Sequence, residues 1–139
     1  YKTYTNSTPT YVRVWETSTA YWGADKYYQQ KATRSRGTFN GQTSAWRYSF
    51  TDYYDSSAAQ GSKGQTYRVY DPKYGGISLN TSTTLPSYVS STSADAWKYQ
   101  VQATGTHSVT MVYDSKGRCH FVCRGRDAMR LANLFSGRR

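Results

Sequence analysis

The sequence predicts a mainly β, antiparallel domain, a small sandwich or barrel that carries one short C-terminal helix. Three observations predict it. Period-two runs of aromatic and β-branched residues recur along the chain, a glycine-containing turn separates two of them, and the order of motifs repeats after about 50 residues. The 139 residues suffice for one core, so the chain reads as a single domain over 1–139.

The elements follow in order. Residues 11–16, YVRVWE, set Val12 and Val14 against Tyr11, Arg13 and Trp15. Residues 45–54 place Trp46, Tyr48, Phe50 and Tyr54 on one strand face and Arg47, Ser49 and Thr51 on the other. Residues 66–71 read as a short strand ended by Asp71-Pro72. The segment 75–95, with Gly75-Gly76, Pro86 and a crowd of Ser and Thr, reads as a long functional loop or irregular crossing. Residues 97–103 alternate, with Trp97, Tyr99, Val101 and Ala103 inward. Residues 106–113 and 118–124 flank Asp114-Ser115-Lys116-Gly117, a hairpin turn with Gly where a positive φ is needed. That turn sets Tyr113 opposite Arg118 and Met111 opposite His120. Residues 126–136 place Ala128, Leu131, Ala132 and Phe135 on one helical stripe, with Gly137 as its stop. So short a helix must dock on the sheet to persist.

An internal echo joins the halves 10–64 and 66–124. Tyr11-Val12-Arg13-Val14 resembles Tyr67-Arg68-Val69-Tyr70, Ala45-Trp46-Arg47-Tyr48 resembles Ala96-Trp97-Lys98-Tyr99, and Tyr54-Asp55-Ser56 resembles Tyr113-Asp114-Ser115. The implied architecture is two pseudo-symmetric units of about 50 residues, neither able to bury its apolar face alone. Trp46 and Trp97 are then equivalent buried residues.

Composition shapes the core. Leu, Ile, Val and Phe make up only 17 of 139 residues, a level that together with a net charge of +10 ordinarily marks disorder. The 15 Tyr and four Trp offset this, since each ring can bury roughly 150–250 Å². The 18 Lys and Arg face eight Asp and Glu, and residues 118–139 carry six Arg against Asp127 alone. Such a balance favours polyanionic partners: nucleic acid, a sulfated or phosphate-bearing envelope polymer, or an anionic membrane surface. It also serves solubility. The opening at Tyr1, the abundance of Ser, Thr, Asn, Gln and Tyr, and the single Glu16 suggest a processed, secreted or surface-exposed chain.

Chemistry-bearing residues are sparse. Metal-free RNA cleavage needs a general base and a general acid at one phosphate, and the candidates are Glu16, His107 and His120. In the hairpin register above the two histidines lie about 13 Å apart, too far to grip one phosphate. Cys119 and Cys123 are likewise about 13 Å apart if they share a strand, beyond disulfide reach. They read as buried thiols flanking Phe121 or as bonds to another subunit. Neither a metal site nor a cofactor motif is predicted. Binding residues are better supplied: Tyr27 and Tyr28 near Lys26 and Lys31, Arg34 and Arg36, and the C-terminal Arg124, Arg126, Arg130, Arg138 and Arg139. Tyr interleaved with Arg and Lys suits stacking on sugars or bases and gripping phosphates.

The resulting expectation is a non-enzymatic domain that binds an anionic polymer or cell-envelope surface, in the manner of a toxin, bacteriocin or effector. Two other readings stand beside it. One is a self-assembling coat or filament subunit whose Arg-rich tail touches nucleic acid or a neighbour. The other is a ribonuclease-type toxin.

Overall fold

A computed structural model describes residues 2–5, 8–11, 14–56, 60–70, 72, 75–105 and 107–124; for 2–5, 8–11 and 120–124 the description covers backbone pairing only. The chain is mainly β and antiparallel. Strands β1 (Lys2–Thr5) and β2 (Thr8–Tyr11) form a separate hairpin. Next come β3 (Trp15–Tyr21), a single 3₁₀ turn (Ala24–Lys26), β4 (Gln30–Phe39), β5 (Gln42–Thr43), β6 (Arg47–Tyr53) and β7 (Thr66–Tyr70). An excursion follows, with β8 (Ile77–Leu79), helix α1 (Ala96–Gln100) and β9 (Val101–Ala103), and the hairpin β10 (Ser108–Tyr113) and β11 (Cys119–Arg124) closes the described chain.

Six strands pair in the order β3-β4-β6-β7-β10-β11, each antiparallel to the last, and β5 extends β4 as a seventh. This is a meander, in which each strand pairs with the next available one in the chain. The sandwich or barrel closure expected from the sequence is not among these ladders; among the described residues none joins β3 to β11.

The register builds the core. Ala20 lies opposite Ala32, Ala32 opposite Phe50, Phe50 opposite Tyr70, and Tyr70 opposite Ser108. All five are buried, so one row of side chains crosses five strands on one face. The two alanines keep the β3–β4 end of that row thin, and Trp97 and Val101 from the excursion join the same cluster. Helix α1 packs on β3, and β8 on β6. The segment 75–105 therefore roofs the sheet, where the sequence suggested a loop or irregular crossing. Its base is cinched where the Thr104 and Gly105 amides donate to the Gly76 carbonyl. A Cβ on Gly76 would fall 2.7 Å from the Gly105 Cα, and Gly76 has φ +81, so both sterics and backbone select glycine there.

Residues 97–103 do not form the expected strand. Ala96, Trp97 and Gln100 are buried on one side of α1, and only Val101–Ala103 extend, pairing with β8. Apolar residues at 97 and 101 satisfy both a period of two and a helical i, i+4 spacing, and packing against β3 selects the helix. The Ala-Trp-basic-Tyr motif thus enters a strand at 45–48 and forms a helix at 96–99. Trp46 precedes β6 and is half-buried, whereas Trp97 is 3 % exposed, so the two are not equivalent. Residues 11–16 also depart from the expected run. β2 ends at Tyr11, Val14 is a bend, and Trp15 opens β3 on the exposed side.

The turn Asp114–Gly117 forms as expected. Asp114 accepts from the Lys116 and Arg118 amides, and Gly117 has φ 76. The register does not. A bulge sets Tyr113 opposite Cys119, Val112 opposite Phe121 and Met111 opposite Val122, leaving His120 as the extra residue. Cys119 is exposed, contrary to the reading of a buried thiol. Cys119 and Cys123 share strand β11, opposite Tyr113 and Thr110, and the three-residue span of about 10 Å between those partners is beyond disulfide reach. The expected helix 126–136 lies outside the described residues.

Candidate functional site

The structure does not gather the candidate catalytic residues. Glu16 belongs to edge strand β3 and forms an ion pair with Arg36 across the ladder. His107 is exposed just before β10, four strands away, which at about 4.8 Å per strand is near 19 Å. His120 sits at the β11 bulge, and His107 lies beyond the far end of the paired register, roughly 18 Å along the hairpin. A general acid–base pair on one phosphate requires hydrogen-bond reach. The backbone thus keeps Glu16, His107 and His120 apart, as the spacing of the two histidines along the expected hairpin already implied.

Two clusters of cations and aromatic rings lie along β4, one at its start and one around its middle. The first surrounds the loop from β3 to β4. After the 3₁₀ turn, Tyr27 and Tyr28 have φ of 53 and 54, left-handed values that L residues rarely adopt. Each such residue costs about 1–3 kcal/mol and persists only where neighbours fix it. Here the Tyr28 amide donates to the Gly23 carbonyl at 3.0 Å, the Gln29 amide to the Lys26 carbonyl at 3.1 Å, and Gln29 Nε2 to the Gly64 carbonyl at 3.0 Å. The result is two adjacent tyrosines held outward, 59 % and 70 % exposed. Lys63 Nζ stands 5.4 Å from the Tyr27 ring, and Asp25 is the one carboxylate of the loop.

Lys26 does not join that exposed surface. It is buried, forms an ion pair with Asp52, and lies 4.1 Å over the Trp22 ring. The Trp22 indole donates to the Thr51 carbonyl at 2.9 Å and meets Phe50 edge to face, so this pair belongs to the core margin. Lys31 lies 5.1 Å from the same indole. Burial, and then the nearby Lys26 charge, lower the Lys31 pKa below the usual lysine value.

The second cluster lies on the roofed face. Glu16, Ser18 and Ala20 of β3 face that side, opposite Arg36, Arg34 and Ala32 of β4. The Arg34 guanidinium carbon is 4.1 Å from the Trp46 ring centre and 4.4 Å from that of Trp97. Arg36 lies 4.3 Å from Trp46 and pairs through Nε with Glu16. Arg34 also donates to the Ala94 carbonyl at 3.2 Å, which pins the roof to the sheet. Two guanidinium groups, two indoles and one carboxylate are thus interleaved, and planar guanidinium suits this stacking better than an ammonium would.

The sequence singled out Tyr27, Tyr28, Arg34 and Arg36, and the structure brings them into two sites rather than one. Arg124 is the last residue of β11, opposite Val109, and its side chain lies outside the described residues, as do Arg126, Arg130, Arg138 and Arg139 entirely. The partners that sequence reasoning missed are Lys63, Gly64, Trp46 and Trp97. Their contacts span long separations or depend on the fold of the roof. Only the alternation placing Arg34 and Arg36 on one face was readable locally.

Among the described residues no group of three or more His, Cys, Asp or Glu could hold a metal, and no helix is long and apolar enough to cross a membrane. No family model matches the chain, and neither a curated protein nor a solved structure matches it.

Proposed function

We propose that this chain is a non-enzymatic β-domain that binds an anionic polymer, secreted or displayed on a surface as a toxin, bacteriocin or effector. One observation carries the reading. Tyr27 and Tyr28 are adjacent, exposed and held in a costly left-handed backbone, beside Lys63. Aromatic faces stack on sugars or bases, and ammonium groups neutralise phosphate or sulfate. Among the described residues Lys63 has no acidic ion-pair partner, so its charge is available there. The +10 net charge extends the attraction beyond contact distance.

The test is a titration with a single-stranded oligonucleotide and with a sulfated polysaccharide over a range of salt, with neutral dextran as reference. Affinity for one polyanion should fall linearly on a log–log scale with salt. Replacing both Tyr27 and Tyr28 by Ala should weaken it several-fold at nearly constant slope. Binding no stronger than that to dextran at low salt would overturn the proposal.

A second reading, a self-assembling subunit, is favoured by the sheet edges. β3 and β11 end the ladder among the described residues, and β3 offers seven residues with Glu16 as its one charge. Such edges are templates for pairing with another chain. Sedimentation at rising concentration tests it, and a constant monomer mass rejects it.

A further inference from the structure

The strongest unexplained feature of the fold is a pair of buried N–H donors in the Arg34–Trp97 cluster. Trp97 is 3 % exposed and its indole nitrogen has no acceptor; the Nε of Arg34 is also buried without one. The two cannot satisfy each other, because indole and guanidinium are donors only. Stacking brings them together, with the Arg34 guanidinium carbon 4.4 Å from the Trp97 ring centre. The site therefore holds two buried donors, on side chains in contact, that each lack an acceptor.

Charge narrows the choice. Among the described residues Glu16 pairs with Arg36, and Arg34 bonds the neutral Ala94 carbonyl, so Arg34, Arg36 and Glu16 together carry a net charge of about one positive unit there. The Arg34 guanidinium carbon lies within 4.1 Å of the Trp46 ring centre and 4.4 Å of that of Trp97, so both indoles help to hold it in place. A water can accept at one point only and brings no charge. An oxyanion presents two or more oxygens on one rigid group, so it can meet two donors that do not converge on a single point.

We infer that Arg34 and Trp97 form a seat for an oxyanion group, a carboxylate or a phosphate, on the roofed face of the sheet. The seat is distinct from the Tyr27–Tyr28 loop, which precedes β4.

The experiment follows the four tryptophan indole N–H resonances of the ¹⁵N-labelled full chain during titration with sodium acetate and with sodium phosphate, ionic strength being held constant with sodium chloride. Trp97→Phe assigns the resonance of interest. Saturable movement of that resonance with acetate, phosphate or both supports the seat, and the effective salt identifies the group it takes. The movement should vanish in Arg34→Gln and shrink in Arg34→Lys, which keeps the charge but loses the planar fork. The remaining indole resonances report whether each variant is folded. Doubly substituted Tyr27→Ala, Tyr28→Ala protein should titrate like the parent, which separates this seat from polymer binding. A resonance that stays still in both oxyanions would mean that a water satisfies the donors. Equal movement on replacing one chloride concentration by another would mean that any anion suffices. Either result overturns the inference.

Discussion

Phe50 and Tyr70 lie directly opposite each other on β6 and β7, with their rings edge to face and their centres 5.8 Å apart. Both are in the buried row that crosses the sheet, and Trp22 meets the other side of Phe50 at 5.7 Å. Phe50→Ala should therefore cost about 3–5 kcal/mol, combining lost transfer energy with a cavity flanked by two rings. Phe50→Leu should cost less, because it restores most of the volume. Denaturant midpoints at constant slope give both values. A loss under 1 kcal/mol in the alanine variant would contradict this placement of the core.

The two tryptophans of the echoed motif should separate in the same assay. Trp97 is buried in the roof against Tyr48, with ring centres 6.0 Å apart, and its replacement by Ala should cost about 3–5 kcal/mol. Trp46 is half-buried and contributes chiefly through Arg34 and Arg36, so Trp46→Ala should cost about 1–2 kcal/mol. Equal costs would restore the equivalence that the sequence echo implied.

How much of this was legible depends on whether local pattern or distant contact decides. Tyr48 and Phe50 face inward as their alternation indicates, and the Asp114–Gly117 turn forms where Gly117 permits it. The β10–β11 register was not legible, because a bulge between Val112 and Tyr113 leaves no mark in composition. Asn40-Gly41 left a clear mark: both have positive φ, as a two-residue hairpin turn requires, yet Phe39 and Gln42 beside them offer no apolar alternation to announce strands. At the candidate site, Arg34 and Arg36 were readable because two residues separate one strand face from its repeat. The contact of Arg34 with Trp97 was not, since it needs the excursion to fold back over β3.

Lys26 and Asp52 supply a test of the polar margin. The lysine is buried and the carboxylate is its ion-pair partner, while the Tyr53 amide also donates to Asp52 at 2.8 Å. Asp52→Ala leaves a buried ammonium unpaired and should cost about 3 kcal/mol. Adding Lys26→Met to that variant should recover much of the loss, because the stranded charge is removed. A double variant no more stable than Asp52→Ala would show that the pair carries little of the stability here.

Stability should also fall at high pH through Tyr54. Burial, followed by the neighbouring Tyr67 and Tyr113 phenols, pushes its pKa up to about 12 from the ordinary 10. The hydroxyl donates to the Met111 carbonyl at 2.8 Å, an arrangement that favours the protonated phenol. Because the folded-state pKa is the higher one, the contribution is complete below pH 10 and disappears as pH rises toward 12. With allowance for solvent screening its size is about 1–2 kcal/mol. Tyr54→Phe should lower stability at neutral pH by about 1 kcal/mol and flatten the decline between those pH values. Parallel curves for the two proteins would assign the decline to other groups.

The last prediction joins backbone geometry to the proposed binding loop. Gly64 has φ +90, and a Cβ placed there would fall 2.8 Å from Tyr27 Cε2. Gly64 also accepts from Gln29 Nε2, so one residue braces the loop that holds Tyr27 and Tyr28 outward. Gly64→Ala thus meets two penalties, a left-handed backbone with a side chain and a collision with the Tyr27 ring. The buried row from Ala20 to Ser108 is not touched, and the loss of stability should be about 1–3 kcal/mol. Polyanion affinity should fall about as far as in the Tyr27→Ala, Tyr28→Ala double variant, while the oxyanion titration of Trp97 stays unchanged. Full polyanion affinity in a folded Gly64→Ala protein would show that the posture of Tyr27 does not matter for binding, and would leave the +10 net charge as the source of attraction.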